Sequence, residues 1–197
     1  MKKVFNLLNE QLFGVLRAEE YLVISFSGEN SQFIRFNNAL VRQTGLVDDA
    51  TIGLKFIANG RTCHGAFTVS RNQKIDFQRG VAEINRMRKE SEEIPEDPFL
   101  ILPKNLGSSN EIKKSNGLNF DDSVDALTPI MQDIDLVGIW VNGKMYRGNA
   151  NNLGQRHWFE TESYCLDFSL VSSSHQMVKG CFAGNDWDQK SYEAYIN

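Results

Sequence analysis

The chain has 197 residues, a formal net charge of −4 and a pI near 5.4, so it offers phosphate no bulk attraction, and direct nucleic-acid binding is disfavoured. Apolar residues make up 41% and charged residues 23%, ordinary proportions for a soluble globular protein. No apolar run approaches the roughly 20 residues of a membrane span, and the three cysteines are too few and oddly numbered for a disulfide framework, which fits a reducing cytoplasm.

The amino terminus, MKKVFNLLNEQLFGVLRAEEY, begins basic and apolar in the manner of a signal peptide. Asn6, Asn9, Glu10 and Gln11 interrupt any apolar h-region and no small-residue cleavage site follows, so the segment reads as an amphipathic helix. Val4, Leu7, Leu8, Leu12 (or Gln11), Val15 and Leu16 form its apolar stripe. Tyr21 to Phe26 reads as a buried strand stopped by Ser27-Gly28-Glu29-Asn30.

The segment from Phe33 to Val69 then reads as strand, strand, strand, tight turn, strand. Phe33, Arg35 and Asn37 alternate with Ile34 and Phe36; Ala39, Val41 and Gln43 alternate with Leu40 and Arg42. Ile52, Leu54 and Phe56 run into Asn59-Gly60, and Thr62, His64 and Ala66 run out again. An Asn-Gly pair between alternating runs predicts a hairpin, because a type I′ turn needs positive φ at both central residues.

From about Ser70 the period changes to helical, with Phe77, Val81, Ile84 and Met87 inward and an end before Pro95. Residues 95–119 read as one long irregular stretch, of the kind that serves a function or connects lobes. A third helix is expected from Asp121 or Asp122, carrying Val124, Leu127, Met131 and Ile134 inward past Pro129. Val137 to Val141 leads to a second Asn142-Gly143 turn, with Trp140 and Tyr146 on the adjacent strands of a hairpin. A strand from Trp158 to Ser172 and another from Gln176 to Ala183 complete the sheet, and the tail holds an N-cap (Asp186 or Asp188) and a first helical turn. The length suits one domain or a compact pair of lobes. Read as a single domain over 1–197, the order predicts an α+β fold, a mainly antiparallel sheet of hairpins with two to three helices packed against it.

Candidate chemistry is sparse. His64 adjoins Cys63 in a strand, which sends the two side chains to opposite faces. His157 follows Arg156 at a strand entry, and His175 lies in the turn SSSHQ. None is followed by Glu or spaced for H-E-x-x-H, and there is no G-x-S-x-G, P-loop or G-x-G-x-x-G. Cys63, Cys165 and Cys181 read as small buried hydrophobes, and Glu90, Glu92, Glu93, Glu96 and Asp97 as a solvated helix end. No catalytic, cofactor-binding or metal-ligating residue is assigned.

The order of these features resembles the amino-terminal domain of the TldD/PmbA family, zinc metallopeptidases also described as modulators of DNA gyrase. The likeness rests on SQFIRFNNALVRQTGLVDDATIGLKFIANGRTCHGAFT, on the Pro95–Pro103 stretch PEDPFLILP and on VGIWVNGKMYRGNANNLG, and spans about residues 20–185. In that family the metal site lies on the carboxy-terminal half, on a helix with a His-Glu pair and a further His, completed by a Cys; this sequence has no matching residues. The resemblance therefore implies a domain without its own cofactor, zinc belonging to a carboxy-terminal domain absent here. It also implies a peptide substrate, a homo- or hetero-dimer with a family member, a cytoplasmic location, and no direct contact with nucleic acid or membrane. A free-standing peptide- or protein-binding regulatory module is the alternative expectation.

Overall fold

The computed structural model describes residues 1–171 and 176–196; His175 and the serines before it lie outside the described residues. Among the described residues the chain forms α1 (Lys2–Phe13), β1 (Tyr21–Asn37), β2 (Leu40–Ala58), β3 (Arg61–Thr68), α2 (Gln73–Glu93) and β4 (Ser108–Ile112). It continues with α3 (Ser123–Leu127), a 3₁₀ turn at Pro129–Met131, β5 (Leu136–Asn151), β6 (Arg156–Val171), β7 (Met177–Gly184) and α4 (Gln189–Ile196). The strands form one sheet in the order β3-β2-β1-β5-β6-β4, with β7 also on β6. It is an α+β fold, and no helix is long and apolar enough to cross a membrane among these residues.

The predicted Asn59-Gly60 turn is present: φ is +50° at Asn59 and +71° at Gly60, and Ala58 pairs with Arg61 across it. The expected stop at Ser27–Asn30 is not. β1 runs through it, because the period-two burial that begins at Leu22 continues unbroken to Gly28. The turn lies instead at Asn38-Ala39, both at positive φ, and β2 then continues as one strand of 19 residues where the sequence suggested two.

The second Asn-Gly pair is not a turn. β5 passes straight through Asn142 and Gly143, so Trp140 and Tyr146 lie on one strand, not on two. Asn142 is buried and its amide nitrogen donates to the Leu118 carbonyl from inside the strand. Gly143 sits so close to Asn30 and Ser31 that a Cβ would come within 2.5 Å of the Ser31 Cα. Glycine is there for a close approach of backbones rather than for a reversal. The reversal comes at Asn151–Gln155, where the Asn151 side chain accepts from the Leu153 and Gln155 amides at 3.0 and 3.2 Å.

Two helical expectations also change. The α1 stripe is Phe5, Leu8, Asn9 and Leu12, while Leu7 is 41% exposed, because Phe5 packs against Phe26 and Trp158 with ring centroids 5.6 and 5.7 Å away. The third helix stops at Leu127; Pro129 begins a 3₁₀ turn that carries Met131 into the core. α2 ends at Glu93 as expected, and Asp188 caps α4 by accepting from the Lys190 amide at 3.1 Å.

The chain groups into two compact units, one of Met1–Gly28, Asp49–Ile112 and Tyr146–Glu160, the other of Glu29–Asp48, Lys113–Met145 and Thr161–Asn197. In the first, α1 and α2 cover one sheet face, with Phe5, Leu8, Leu12, Ile84 and Met87 against Leu22, Ile24, Phe26, Ile52, Leu54 and Phe56. The second has its own core, in which Trp140 stacks on Tyr164 at 5.3 Å beside Leu127, Met131 and Tyr192.

Candidate functional site

The first unit contains both ends of the β3-to-β4 strand order, and they differ in chemistry. In β3 the two-residue hairpin turns Arg61, Cys63, Gly65 and Phe67 toward β2 and the alternate residues outward. Two of those outward carbonyls are taken by arginines of α2: Arg86 donates to the His64 oxygen at 2.8 Å and Arg79 to the Thr68 oxygen at 2.7 Å. Glu83 and Glu90 hold Arg86 in place at 2.9 and 2.6 Å. A strand edge sealed in this way resists pairing with another chain.

β4 is the opposite case. It lies in the stretch the sequence left irregular, pairs in parallel with β6 from Ser108↔Arg156 to Ile112↔Glu160, and all five of its residues are exposed. The Arg156 amide donates to the Gly107 carbonyl, so Ser109 and Glu111 take the ladder bonds to β6. The main-chain groups of Ser108, Asn110 and Ile112 point the other way, where the sheet ends.

Two cavities flank this pair of strands. One, of about 380 Å³, lies between α1 and the β4–β6 pair and is lined by Lys2, Asn6, Glu10, Asn110, Arg156 and Trp158, among others. The other, of about 190 Å³, is lined by Glu111, Arg147, Asn149, His157 and Phe159. Arg156 is anchored: its guanidinium donates to the Asn151 and Gln155 carbonyls at 2.6 Å each and lies 4.7 Å over the Phe13 ring. Lys2 donates to the Asn110 side chain at 2.8 Å. The lining is mixed in sign, with Lys2, Arg147 and Arg156 alongside Glu10 and Glu111.

Of the two described histidines, His64 and His157, His157 is the one the fold brings to this site. Its Nδ1 lies 2.8 Å from the Ser109 hydroxyl, its partner in the parallel register. A serine nucleophile also needs an oriented base and oxyanion donors; register alone accounts for this contact. His64 is exposed and faces Lys55 across the hairpin, while Cys63 beside it is buried opposite Phe56, so the two do point to opposite faces. Burial first, and Glu90 second, push the Cys63 thiol up.

In the second unit the structure joins two residues that the sequence left apart. The Cys165 and Cys181 sulfurs lie 3.6 Å from each other, both free. Burial, the contact with Cys181 and the charge of Asp167 push the Cys165 thiol up to about 11. Cys63 and Cys165 are thus held protonated, opposite to the state of an activated nucleophile. Among the described residues no group of three His, Cys, Asp or Glu side chains could hold a metal ion. Zinc, which the resemblance associates with the family, does not fit the donors in place among the described residues.

No protein-family model and no curated protein matches the sequence. Solved structures match its fold. A candidate modulator of a DNA gyrase from Thermotoga maritima superposes with a TM-score of 0.68 at 12% identity, over 98% of this chain and 46% of that one. TldE from Thermococcus kodakarensis gives 0.67 at 13% identity, over 98% and 45%. A candidate modulator of DNA gyrase from Bacteroides thetaiotaomicron gives 0.62 at 13%, over 99% and 49%. The chain thus spans about half the length of the structures it matches, and the fold expected from the TldD/PmbA resemblance is the fold observed.

Proposed function

We propose that the chain is the non-catalytic amino-terminal domain of a TldD/PmbA-like zinc metallopeptidase, forming a wall of the substrate cavity and part of the contacts of a homo- or hetero-dimer that takes unfolded or flexible peptides. The observation that carries this reading is the fold match, which takes in 98% of this chain and 46% of the Thermotoga protein. In this reading the chain corresponds to one half of a two-part protein, and the zinc chemistry belongs to the other.

The open edge at β4 supports the peptide-facing part of the role. An extended peptide laid beside Ser108, Asn110 and Ile112 would exchange main-chain hydrogen bonds with them, which gives affinity without demanding a sequence. Arg156, Lys2 and His157 would meet its carbonyls and acidic side chains from the flanking cavities.

The test is titration of a fluorescently labelled unfolded peptide with the chain and with Asn110→Pro. Proline removes an outward N–H but leaves the ladder through Ser109 and Glu111 intact. The variant should bind about tenfold more weakly, the loss of roughly one main-chain hydrogen bond and the neighbouring register. Equal binding by the two proteins would take β4 out of the peptide's path.

A further inference from the structure

We propose that Cys165 and Cys181 are a modification site: a dithiol that a small-molecule disulfide of the glutathione class converts reversibly to an intrachain disulfide, stapling β7 to β6. The register carries the argument. Asp167 pairs with Cys181 and Cys165 with Ala183, so the two cysteines are diagonal neighbours on one face of an antiparallel pair. Their sulfurs are 3.6 Å apart, and because diagonal Cα atoms lie about 7–8 Å apart, side-chain rotation together with a small shift of β7 toward β6 has to close about 1.5 Å to reach a bond of about 2.05 Å. Cys181 is exposed and Cys165 half-buried, so a small reagent reaches the first and the second lies behind it.

The surroundings assign the order of steps. Asp167, which accepts from Lys179 at 3.2 Å, faces Cys181 across the strands. Burial, followed by the Cys181 contact, keeps Cys165 protonated, so Cys181 is the group that attacks first. Its thiolate attacks one sulfur of the small disulfide; that S–S bond breaks, a mixed disulfide forms on Cys181, and one small thiolate leaves and takes up a proton. Cys181 then no longer accepts the Cys165 S–H or holds a negative charge beside it. The Cys165 thiol gives its proton to solvent and attacks the Cys181 sulfur, releasing the second small thiol. Two protein thiols are oxidised and one small disulfide is reduced to two thiols. Cys63, buried in the other unit, takes no part and serves as an internal control.

The test is incubation of the chain with oxidised and reduced glutathione at set ratios, followed by intact mass, free-thiol count and peptide mapping. The wild-type chain should lose two thiols and two hydrogen atoms of mass, with Cys165 joined to Cys181 and Cys63 free, and excess reduced glutathione should reverse it. Cys165→Ser should stop at one glutathione adduct on Cys181, and Cys63→Ala should behave as wild type. Amides of Val178–Phe182 should exchange more slowly in the oxidised form. A stable adduct on wild-type Cys181, or both thiols still free in excess oxidised glutathione, would overturn the proposal; the wild-type result decides without any variant.

Discussion

Arg88 grips Glu20 with two charge-assisted hydrogen bonds, Nε to Oε1 and Nη2 to Oε2, each 2.7 Å, across 68 residues of sequence. The same Nη2 donates to the Val15 carbonyl at 2.8 Å, and the Glu20 carboxylate also accepts from the Arg17 amide at 2.8 Å. The side chains are 14% and 7% exposed, so α2 is tied to the turn after α1 by a largely dehydrated pair. Arg88→Met leaves the Glu20 charge buried and unpaired, and should cost about 3 kcal/mol in urea unfolding. Glu20→Gln together with Arg88→Met should recover much of that loss.

The same pair sets a pH dependence. Burial acts to raise the Glu20 carboxyl, but hydrogen bonding and charge from Arg88, with the Arg17 amide, outweigh it and hold the group below its ordinary range. A lowered folded-state value means the stabilisation is complete above the unfolded value, about pH 4.3, and is lost as pH falls through the folded one. The stability gap between wild type and Glu20→Gln should therefore be constant above about pH 5 and narrow in acid. A gap that widens as pH falls would contradict the assignment.

Ala39 holds φ at +53° in the β1–β2 turn, a conformation that costs an L-residue with a Cβ roughly 1–2 kcal/mol. Ala39→Gly should stabilise the chain by about 1 kcal/mol, net of the entropy glycine returns to the unfolded chain. Thermal unfolding at matched concentration reads it directly.

The two Asn-Gly pairs should respond differently to the same substitution. At Gly60 the nearest obstacle to a Cβ is the Glu96 side chain at 3.6 Å, so Gly60→Ala should cost only the strain of a positive φ, about 1 kcal/mol. At Gly143 the obstacle is backbone of Asn30 and Ser31, which cannot rotate away, so Gly143→Ala should cost about 3 kcal/mol or prevent folding. Similar losses at the two sites would mean that Gly143 is a turn after all.

These pairs also mark the limit of what the sequence discloses. Asn59-Gly60 is legible because alternating apolar runs flank it on both sides; Asn142-Gly143 has the same letters, but the contacts that make it a strand come from Asn30, Ser31 and Leu118, far away in sequence. The helix over Gln73–Glu93 and the sheet class follow from periodicity: Ile84 and Met87 are buried as read, while Phe77 and Val81 are half-buried beside the buried Asp76 and Gly80. β4 was illegible because an exposed edge strand has no apolar alternation to announce it, and with it went the partner of His157. Cys165 and Cys181 could be read as residues but not as a pair, since their proximity depends on the register of β6 and β7.

The exposed segment before β4 leads to a further expectation. Phe99, Ile101 and Leu106 are 86%, 80% and 76% exposed on either side of Pro103, far more than isolated surface apolars require. In a domain that docks to a larger assembly this segment belongs at a contact. Phe99→Ser with Ile101→Ser should leave the melting temperature unchanged and reduce self-association or partner assembly in sedimentation velocity; an altered melting temperature would place the segment in the chain's own core instead.

The proposed role is to shape a cavity and hold a peptide rather than to cut it. Zinc content and peptidase activity measured together on the 197-residue chain test that role. A holding domain should show substoichiometric zinc and no hydrolysis of an unfolded peptide that it nevertheless binds. Stoichiometric zinc accompanied by cleavage would contradict it.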